Sequence, residues 1–352
     1  MIDDNTKLAE FLPRLLAVEW IALDTEADSL HAYPEKLCLL QISVPGADKL
    51  IDPLAPIDLA PLFQCFRERE LILHGADYDL RLLRRGHGFV PHAVFDTMWA
   101  ARLVGCRQFG LTDLLAKYLG VKLEKGSQKA NWARRPLTER MENYARNDTR
   151  HLKPLADVLR TELKLKGRLS WLHECCARMV VECAQVSSPD PNTVWRLSGS
   201  HHLDRCGLAV LRELWEWREQ EAVLANKPPY FILPHDKLVD MAANAAAGRP
   251  IDPLLPRVMS PRRRGLLLEA VKAGLAVPPA NQPEPLRHTG RRLSEKERRR
   301  LADLSVRRDR KAHELGLDPT LIASRATLIS LARESTSRPT DLLNWQRELL
   351  GV

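Results

Sequence analysis

Trp20-Ile-Ala-Leu-Asp-Thr-Glu26 is the stretch that decides the fold: an apolar run that ends in two carboxylates at i and i+2. A short run of this kind bounded by turn residues reads as a β-strand, and the two-residue period places Asp24 and Glu26 on one face of its sheet. Two further apolar runs follow, KLCLLQISV (36–44) and KLIDPL (49–54), separated by the turn segments HAYPE (31–35) and PGAD (45–48). Such short connections imply consecutive antiparallel strands. Next come a helical pattern over Leu59 to Arg67, a fourth strand LILHGA (71–76), a helix over Asp77 to Arg85, and a strand-to-helix transition at VFDT (94–97). Asp96 and Thr97 are both suited to cap that last helix. Three strands first and α/β alternation afterwards mark the first domain.

Further along, residues 135–164 lack glycine and carry apolar residues at helical spacing, with Thr138 placed to cap the helix and Pro154 placed to kink it. Another helix is expected over Leu169 to Gln185, and the serine- and proline-rich SSPDPNTVW (187–195) makes a boundary. The reading is a first domain over 1–188, an all-helical module over 203–276, the proline-rich linker 278–290, and a second, shorter helical module over 293–352. The two helical segments share a pattern: a basic-rich helix, a turn with proline, then a helix beginning at KLVDMA or ATLISLA. Internal repetition and coincidence between short amphipathic helices both fit it.

Composition restricts the function classes. The chain has 352 residues, 45% hydrophobic and 28% charged, an ordinary globular balance that implies more than one core. The opening MIDDNTKLAEFLPRLL has acids where a secretory leader carries cations, and no apolar run is long enough to span a bilayer. The expectation is a cytoplasmic protein with no membrane association. Seven cysteines, none spaced as C-x-x-C, read as reduced core residues. A net charge of +8 favours an anionic partner. Between Arg287 and Lys311 eleven Lys/Arg face four acids, which fits a phosphate contact as well as a solvated helix face.

The residues suited to chemistry fall in three places. Asp24 and Glu26, side by side, repel unless a cation neutralises them, and hard oxygen ligands suit Mg²⁺ or Mn²⁺. Tyr144 and Asp148 stand at i and i+4 of the expected helix, on one face. Between these, Asp77 and Asp79 follow the fourth strand, and either is placed to add an acid. Each motif alone is short enough to arise as a solvated turn or an exposed helix face. Their combination, in this order and on these elements, is not.

Three longer stretches carry that combination: DTEADSLHAYPEKLCLLQIS (24–43), HGADYDLRLLRRGHG (74–88) with FDTMWAARLVG (95–105), and SQKANWARRPLTERMENYARNDTRHL (127–152). Through them the chain resembles the tyrosine-containing subclass of the DEDD exonucleases, and bacterial ribonuclease D in particular, over about Trp20 to Leu155. The resemblance implies a ribonuclease H-like α/β domain, a mixed sheet flanked by helices, followed by all-α HRDC-like bundles over 203–276 and 293–352. It implies Asp24, Glu26, Asp79, Tyr144 and Asp148 as the catalytic set, and selects Asp79 over Asp77. It also implies two divalent metal ions, Mg²⁺ or Mn²⁺, held by Asp24, Glu26, Asp79 and Asp148, and hydrolysis from the 3′ end of single-stranded RNA, as in tRNA or other structured precursors. No obligate protein partner is implied.

Lys129, Trp132, Arg134 and Arg135, just before the catalytic helix, suit a substrate grip in which Trp132 stacks on the terminal base. A buried Trp132 with its arginines paired to acids fits the same pattern. His74 reads as a core histidine, and Trp215, Trp217 and Trp345 as fillers of helical cores. A DNA exonuclease would use the same acids, and a nucleic-acid-binding protein with an inactive nuclease domain is the alternative of another class; the complete set of five side chains argues against the latter.

Overall fold

The computed structural model describes residues 1–123, 126–185, 190–286, 291–333 and 342–352; the expected boundary at Ser188 and the first cation of the basic stretch, Arg287, lie outside these. The described chain divides into two compact units. One comprises Met1–Ala27, Leu37–Val186 and Arg291–Val352, and the other Asp28–Lys36 and Ser187–Gly290.

The first unit is built on five strands: β1 (Trp20–Ala27), β2 (Leu37–Val44), β3 (Ala47–Ile51), β4 (Glu70–Leu73) and β5 (Ala93–Asp96), in the spatial order β3-β2-β1-β4-β5. The hairpin-linked β1, β2 and β3 pair antiparallel, whereas β4 joins β1, and β5 joins β4, in parallel. The mixed sheet thus follows from connection length: short turns fold back, and the helical crossovers return in parallel. Eight helices accompany it: α1 (Asn5–Leu16), α2 (Ala60–Arg67), α3 (Asp77–His87), α4 (Thr97–Val104), α5 (Leu111–Leu119), α6 (Glu139–Arg150), α7 (Leu152–Leu165) and α8 (Leu169–Ala184). The opening segment, examined in the sequence only as a leader, is α1, capped by Asp4 and burying Leu8, Phe11 and Leu15.

Alternation along β1 divides the core between the two sides of the sheet. Ile21 and Leu23, with Leu40 and Ile42 of β2, pack against α1, α2 and α3. On the other side Ala22, Ile72 and Phe95 meet α4, α5, α7 and α8. A smaller cluster of Leu39, Leu50, Trp132, Leu137, Met141 and Ala145 seats α6 on β2 and β3. Asp96 caps α4 by accepting from the amides of Met98 and Trp99, and also holds the amides of Gly75 and Ala76 at the start of α3. The long helix expected across Pro154 is interrupted at His151, where α6 ends and α7 begins.

The second unit is helical, with α9 (Arg205–Ala225), α10 (Pro229–Ile232), α11 (His235–Ala246) and α12 (Pro261–Leu275) around Leu211, Leu214, Trp217, Leu238 and Met241. The Asp28–Lys36 segment belongs to it: the Tyr33 amide donates to Asn226 Oδ1 at 3.2 Å and the Tyr33 hydroxyl to Glu219 at 2.6 Å.

The last helices are α13 (Glu295–Leu315), α14 (Pro319–Ile322), α15 (Arg325–Ala332) and α16 (Asn344–Leu350). Expected as a further helical module, they share the first unit's core: Leu304, Ala312, Ile322 and Trp345 lie in one cluster with Leu155, Leu159 and Leu172. Trp345 stacks on Trp171 with ring centroids 4.7 Å apart, and Arg168 donates to both Leu103 and Leu315 carbonyls at 2.8 Å. Gly105, at φ +102°, is required there, because a Cβ would lie 2.7 Å from the Gly316 carbonyl oxygen. The element plan repeats that of α9 to α11. α9 and α13 are both 21 residues long and end in left-handed Asn226 and Gly316; short helices opened by Pro229 and Pro319 follow. One constant offset along the chain also relates two equivalent hydrogen bonds, from Arg218 to the Leu233 carbonyl (3.5 Å) and from Arg308 to the Ala323 carbonyl (3.2 Å).

Candidate active site

The C-terminal end of β1 carries Asp24 and Glu26 on the face covered by α6. Thr138 caps α6 by accepting from the Met141 amide, and three contacts fix the helix over the β2–β3 hairpin. The hydroxyls of Thr149 and Ser43 lie 2.8 Å apart; Arg146 donates to the Asp48 carbonyl at 2.7 Å and Arg150 to the Asp48 carboxylate at 2.6 Å. Asp148, one residue before Thr149, is thereby set against β1. Asp24, Glu26 and Asp148, all half-buried, each offer a carboxylate oxygen, and these oxygens lie within 4.8 Å of one another.

Electrostatics here are unfavourable without a cation. Burial raises the pKa of Asp24 well above the usual carboxylate range, and the charges of Asp79, Asp148 and Glu26 raise it further. Glu26 is pushed up to about 9 by burial and by Asp148 and Asp79. Burial pushes Asp148 up to about 7 against a hydrogen bond from Tyr144 that acts in the opposite direction. Three hard oxygen donors so close together fit a divalent cation, which would hold all three ionised.

The two candidates for the third acidic position differ in burial. Asp79 lies in the first turn of α3, 6% exposed, and the hydroxyl of Thr25, the residue between the two β1 acids, donates to its carboxylate. Burial is also what pushes Asp79 up to about 7. Asp77, by contrast, is on the surface, bound to Arg81 at 3.0 Å through both carboxylate oxygens. Asp79 is not among the acids whose oxygens cluster within 4.8 Å; it bears on Asp24 and Glu26 through its charge.

Tyr144 stands one turn before Asp148 on α6. Burial pushes its phenol above the usual range, with Asp148, Glu26 and Asp24 acting in the same direction. Trp132 flanks its ring at a centroid distance of 6.0 Å, and Gly126 comes so close that a Cβ would fall 1.7 Å from Tyr144 Cδ2.

Two of the four expected grip residues, Trp132 and Arg135, are corrected. Trp132 is 1% exposed inside the apolar cluster under α6, so its faces are taken by protein and it does not stack on a base. Arg135 is a half-buried brace: it donates to both Asp52 oxygens, at 2.5 and 2.6 Å, and to the carbonyls of Trp132 and Cys38. Lys129 and Arg134 are exposed. His74 is half-buried with Nδ1 2.9 Å from the Thr97 hydroxyl, and Trp217 and Trp345 fill helical cores. None of the seven cysteines forms a disulfide, and five of them are buried. No helix of the described residues is long and apolar enough to cross a membrane.

Sequence reasoning missed three residues at the site. In sequence Thr25 reads only as the spacer of D-x-E. Gly126 carries no signal outside the fold. Gln41, directly across the antiparallel ladder from Asp24, is fully buried with neither amide atom hydrogen-bonded among the described residues; a glutamine in a mostly apolar strand is the available sign.

Comparison with known proteins places this arrangement. Residues 1–164, which carry the four acids and the Tyr144 phenol, match the family model described as 3′-5′ exonuclease, and residues 207–247 match the HRDC domain. The chain is 31% identical to a ribonuclease D of Gluconacetobacter diazotrophicus over 361 residues, covering all of this chain and 90% of that one. A ribonuclease D of Jannaschia sp. is also 31% identical, at 100% and 93% coverage. Among solved structures, Escherichia coli RNase D, described as an exoribonuclease involved in structured RNA processing, superposes with a TM-score of 0.78 at 25% identity, covering 100% of this chain and 96% of that one. A Bifidobacterium adolescentis protein shares the fold with a TM-score of 0.85 at 22% identity. Whole-length identity to these enzymes and an exonuclease domain over the acidic cluster together establish that the chain belongs to the ribonuclease D family and is a 3′-to-5′ exoribonuclease.

Proposed function

We propose that the chain trims single-stranded 3′ ends of structured RNA precursors, tRNA among them, by two-metal hydrolysis that releases nucleoside 5′-monophosphates. The observation that carries this reading is the convergence of Asp24, Glu26 and Asp148 oxygens within 4.8 Å, with Tyr144 one turn away on the same helix. Asp24, Glu26 and Asp148 would hold the metal, with Asp79 in support. Bound there, Mg²⁺ or Mn²⁺ supplies hydroxide near neutral pH and offsets charge on the phosphate and the leaving oxygen. Tyr144 orients the attacking water by hydrogen bonding; with its phenol pKa raised, it keeps its proton and does not serve as base. Lys129 and Arg134, exposed ahead of α6, contact phosphates of the incoming strand.

The 203–276 module and a shortened second HRDC-like copy over 293–352 extend the RNA-binding surface. The matched Arg218 and Arg308 hydrogen bonds support the duplication. Seven cysteines outside disulfides suit a reducing compartment, and we place the enzyme in the cytoplasm.

Matched end-labelled RNA and DNA, incubated with Mg²⁺, Mn²⁺ or EDTA, test this reading. Stepwise shortening of RNA from the 3′ end, abolished by EDTA and by Asp24→Ala, is the expected result. Preferential DNA digestion would overturn the RNA assignment, and undiminished turnover by Asp24→Ala would overturn the metal assignment.

A further inference from the structure

On the face of β2 covered by α6, the side chains of Leu39, Gln41 and Ser43 form one row. Leu39 is enclosed in the apolar cluster with Trp132 and Ala145. Ser43 is satisfied twice, donating to Asp48 at 2.7 Å and meeting the Thr149 hydroxyl at 2.8 Å. Gln41, between them, differs from both. It is 0% exposed, yet neither Oε1 nor Nε2 has a hydrogen-bond partner among the described residues. A primary amide enclosed in this way loses its water without replacement, and an apolar residue of the same shape would avoid that loss. Structural needs alone therefore do not account for a glutamine here.

Its location suggests the missing partner. Gln41 is the register partner of Asp24 in the antiparallel β1–β2 ladder. Directly opposed residues of such a ladder project from the same face with neighbouring side chains, so the amide and the carboxylate are adjacent. Asp24 carries its charge at the centre of the acidic group only when that charge is compensated; an ionised Asp24 offers acceptor positions beyond those a cation occupies.

We propose that Gln41 is a positioning residue for the reaction: its side-chain Nε2 donates to the Asp24 carboxylate in the metal-loaded enzyme and fixes the orientation in which that carboxylate binds. The inference rests on the metal-dependent reading above. Metal-ligating carboxylates are themselves oriented by hydrogen bonds, and removing such a partner typically weakens metal affinity or activity by ~10–100-fold.

Gln41→Met, close in length and volume, removes the amide while keeping the row filled, and Gln41→Leu is a second apolar replacement should the first fail to fold. Thermal unfolding of the full chain is measured in EDTA and over a Mg²⁺ or Mn²⁺ series, alongside 3′-end hydrolysis of labelled RNA against metal concentration. The expected result is a melting temperature in EDTA at or above wild type, a smaller metal-induced rise, and half-saturation shifted ~10–100-fold to higher metal. A folded variant whose metal-induced rise and half-saturation match wild type overturns the proposal, and so does failure of both variants to fold, which would make Gln41 a packing residue. A wild-type enzyme with no metal response in either assay would instead overturn the two-metal reading, whatever Gln41 does.

Discussion

The hydroxyl of Thr25 donates to a carboxylate oxygen of Asp79 across the buried end of β1. Thr25 faces away from Asp24 and Glu26, so one strand holds the acids of two motifs, two directly and the third through a hydrogen bond. Removing the donor leaves the enclosed Asp79 carboxylate with only the backbone amides of Thr25 and Asp79. Hydrogen bonds to charged groups contribute ~1.5–3 kcal/mol, which corresponds to roughly 10–100-fold in rate if the loss falls on the reacting state. Thr25→Val is expected to slow single-turnover RNA hydrolysis by about that factor, with Thr25→Ser restoring most of it. A Thr25→Val enzyme as fast as wild type would show that the contact is only structural.

Metal and pH act on stability through the same cluster. Glu26, held up to about 9, and Asp79 and Asp148, held up to about 7, bind protons in the folded chain that the unfolded chain has already released. Their folded values exceed the ordinary ones, so their favourable contribution is complete at acidic pH and is lost as pH rises through about 7 and then about 9. In EDTA the melting temperature should therefore fall between pH 5.5 and pH 9. Asp148→Asn should flatten part of that fall, because its amide does not ionise. Because a bound cation competes with those protons, the stabilisation by Mg²⁺ or Mn²⁺ should widen as pH rises. Differential scanning calorimetry at several pH values, with and without metal, checks both signs; a gap that narrows with pH contradicts them.

Tyr144 is held between the indole of Trp132 and the backbone of Gly126. With its phenol pKa raised by burial and three acids, its loss should lower turnover without removing a titration from the profile. Tyr144→Phe is expected to reduce kcat by about one hydrogen bond, on the order of 10-fold, and to leave the shape of the pH–rate curve unchanged. Gly126→Ala should reproduce that defect, since the new methyl cannot coexist with the ring in place. Loss of an alkaline limb in Tyr144→Phe would instead make the phenol a proton acceptor.

Much of this fold was legible in sequence because it rests on local patterns. Five apolar runs became β1 to β5, Asp96 and Thr138 cap the helices they were expected to cap, and the spacing of Tyr144 and Asp148 puts both on one turn of α6. Asp79 could not be separated from Asp77 by pattern, since both lie in the first turn of α3; what distinguishes them is Thr25, 54 residues earlier in the chain. Gln41 and Gly126 were invisible for the same reason, because their neighbours Asp24 and Tyr144 are brought to them by sheet register and loop path. The placement of α13 to α16 was likewise non-local: their periodicity reveals an apolar face but not that Leu155, Leu159 and Leu172 cover it.

The segment before α6 makes the same point, and separates grip from scaffold experimentally. Trp132 is buried under α6 and the half-buried Arg135 is bound to Asp52, whereas Lys129 and Arg134 are exposed. Trp132→Ala should act as a large-to-small core substitution, destabilising the first unit by ~3–5 kcal/mol and displacing Tyr144 with it. Lys129→Ala and Arg134→Ala should leave the melting temperature nearly unchanged, raise KM for RNA, and each lower the slope of binding against log salt by somewhat less than one unit, as expected for a lost phosphate contact on a single strand. Urea unfolding and salt-dependent RNA binding distinguish the two classes. A Trp132→Ala protein of wild-type stability that bound RNA poorly would return the indole to the substrate, against its burial.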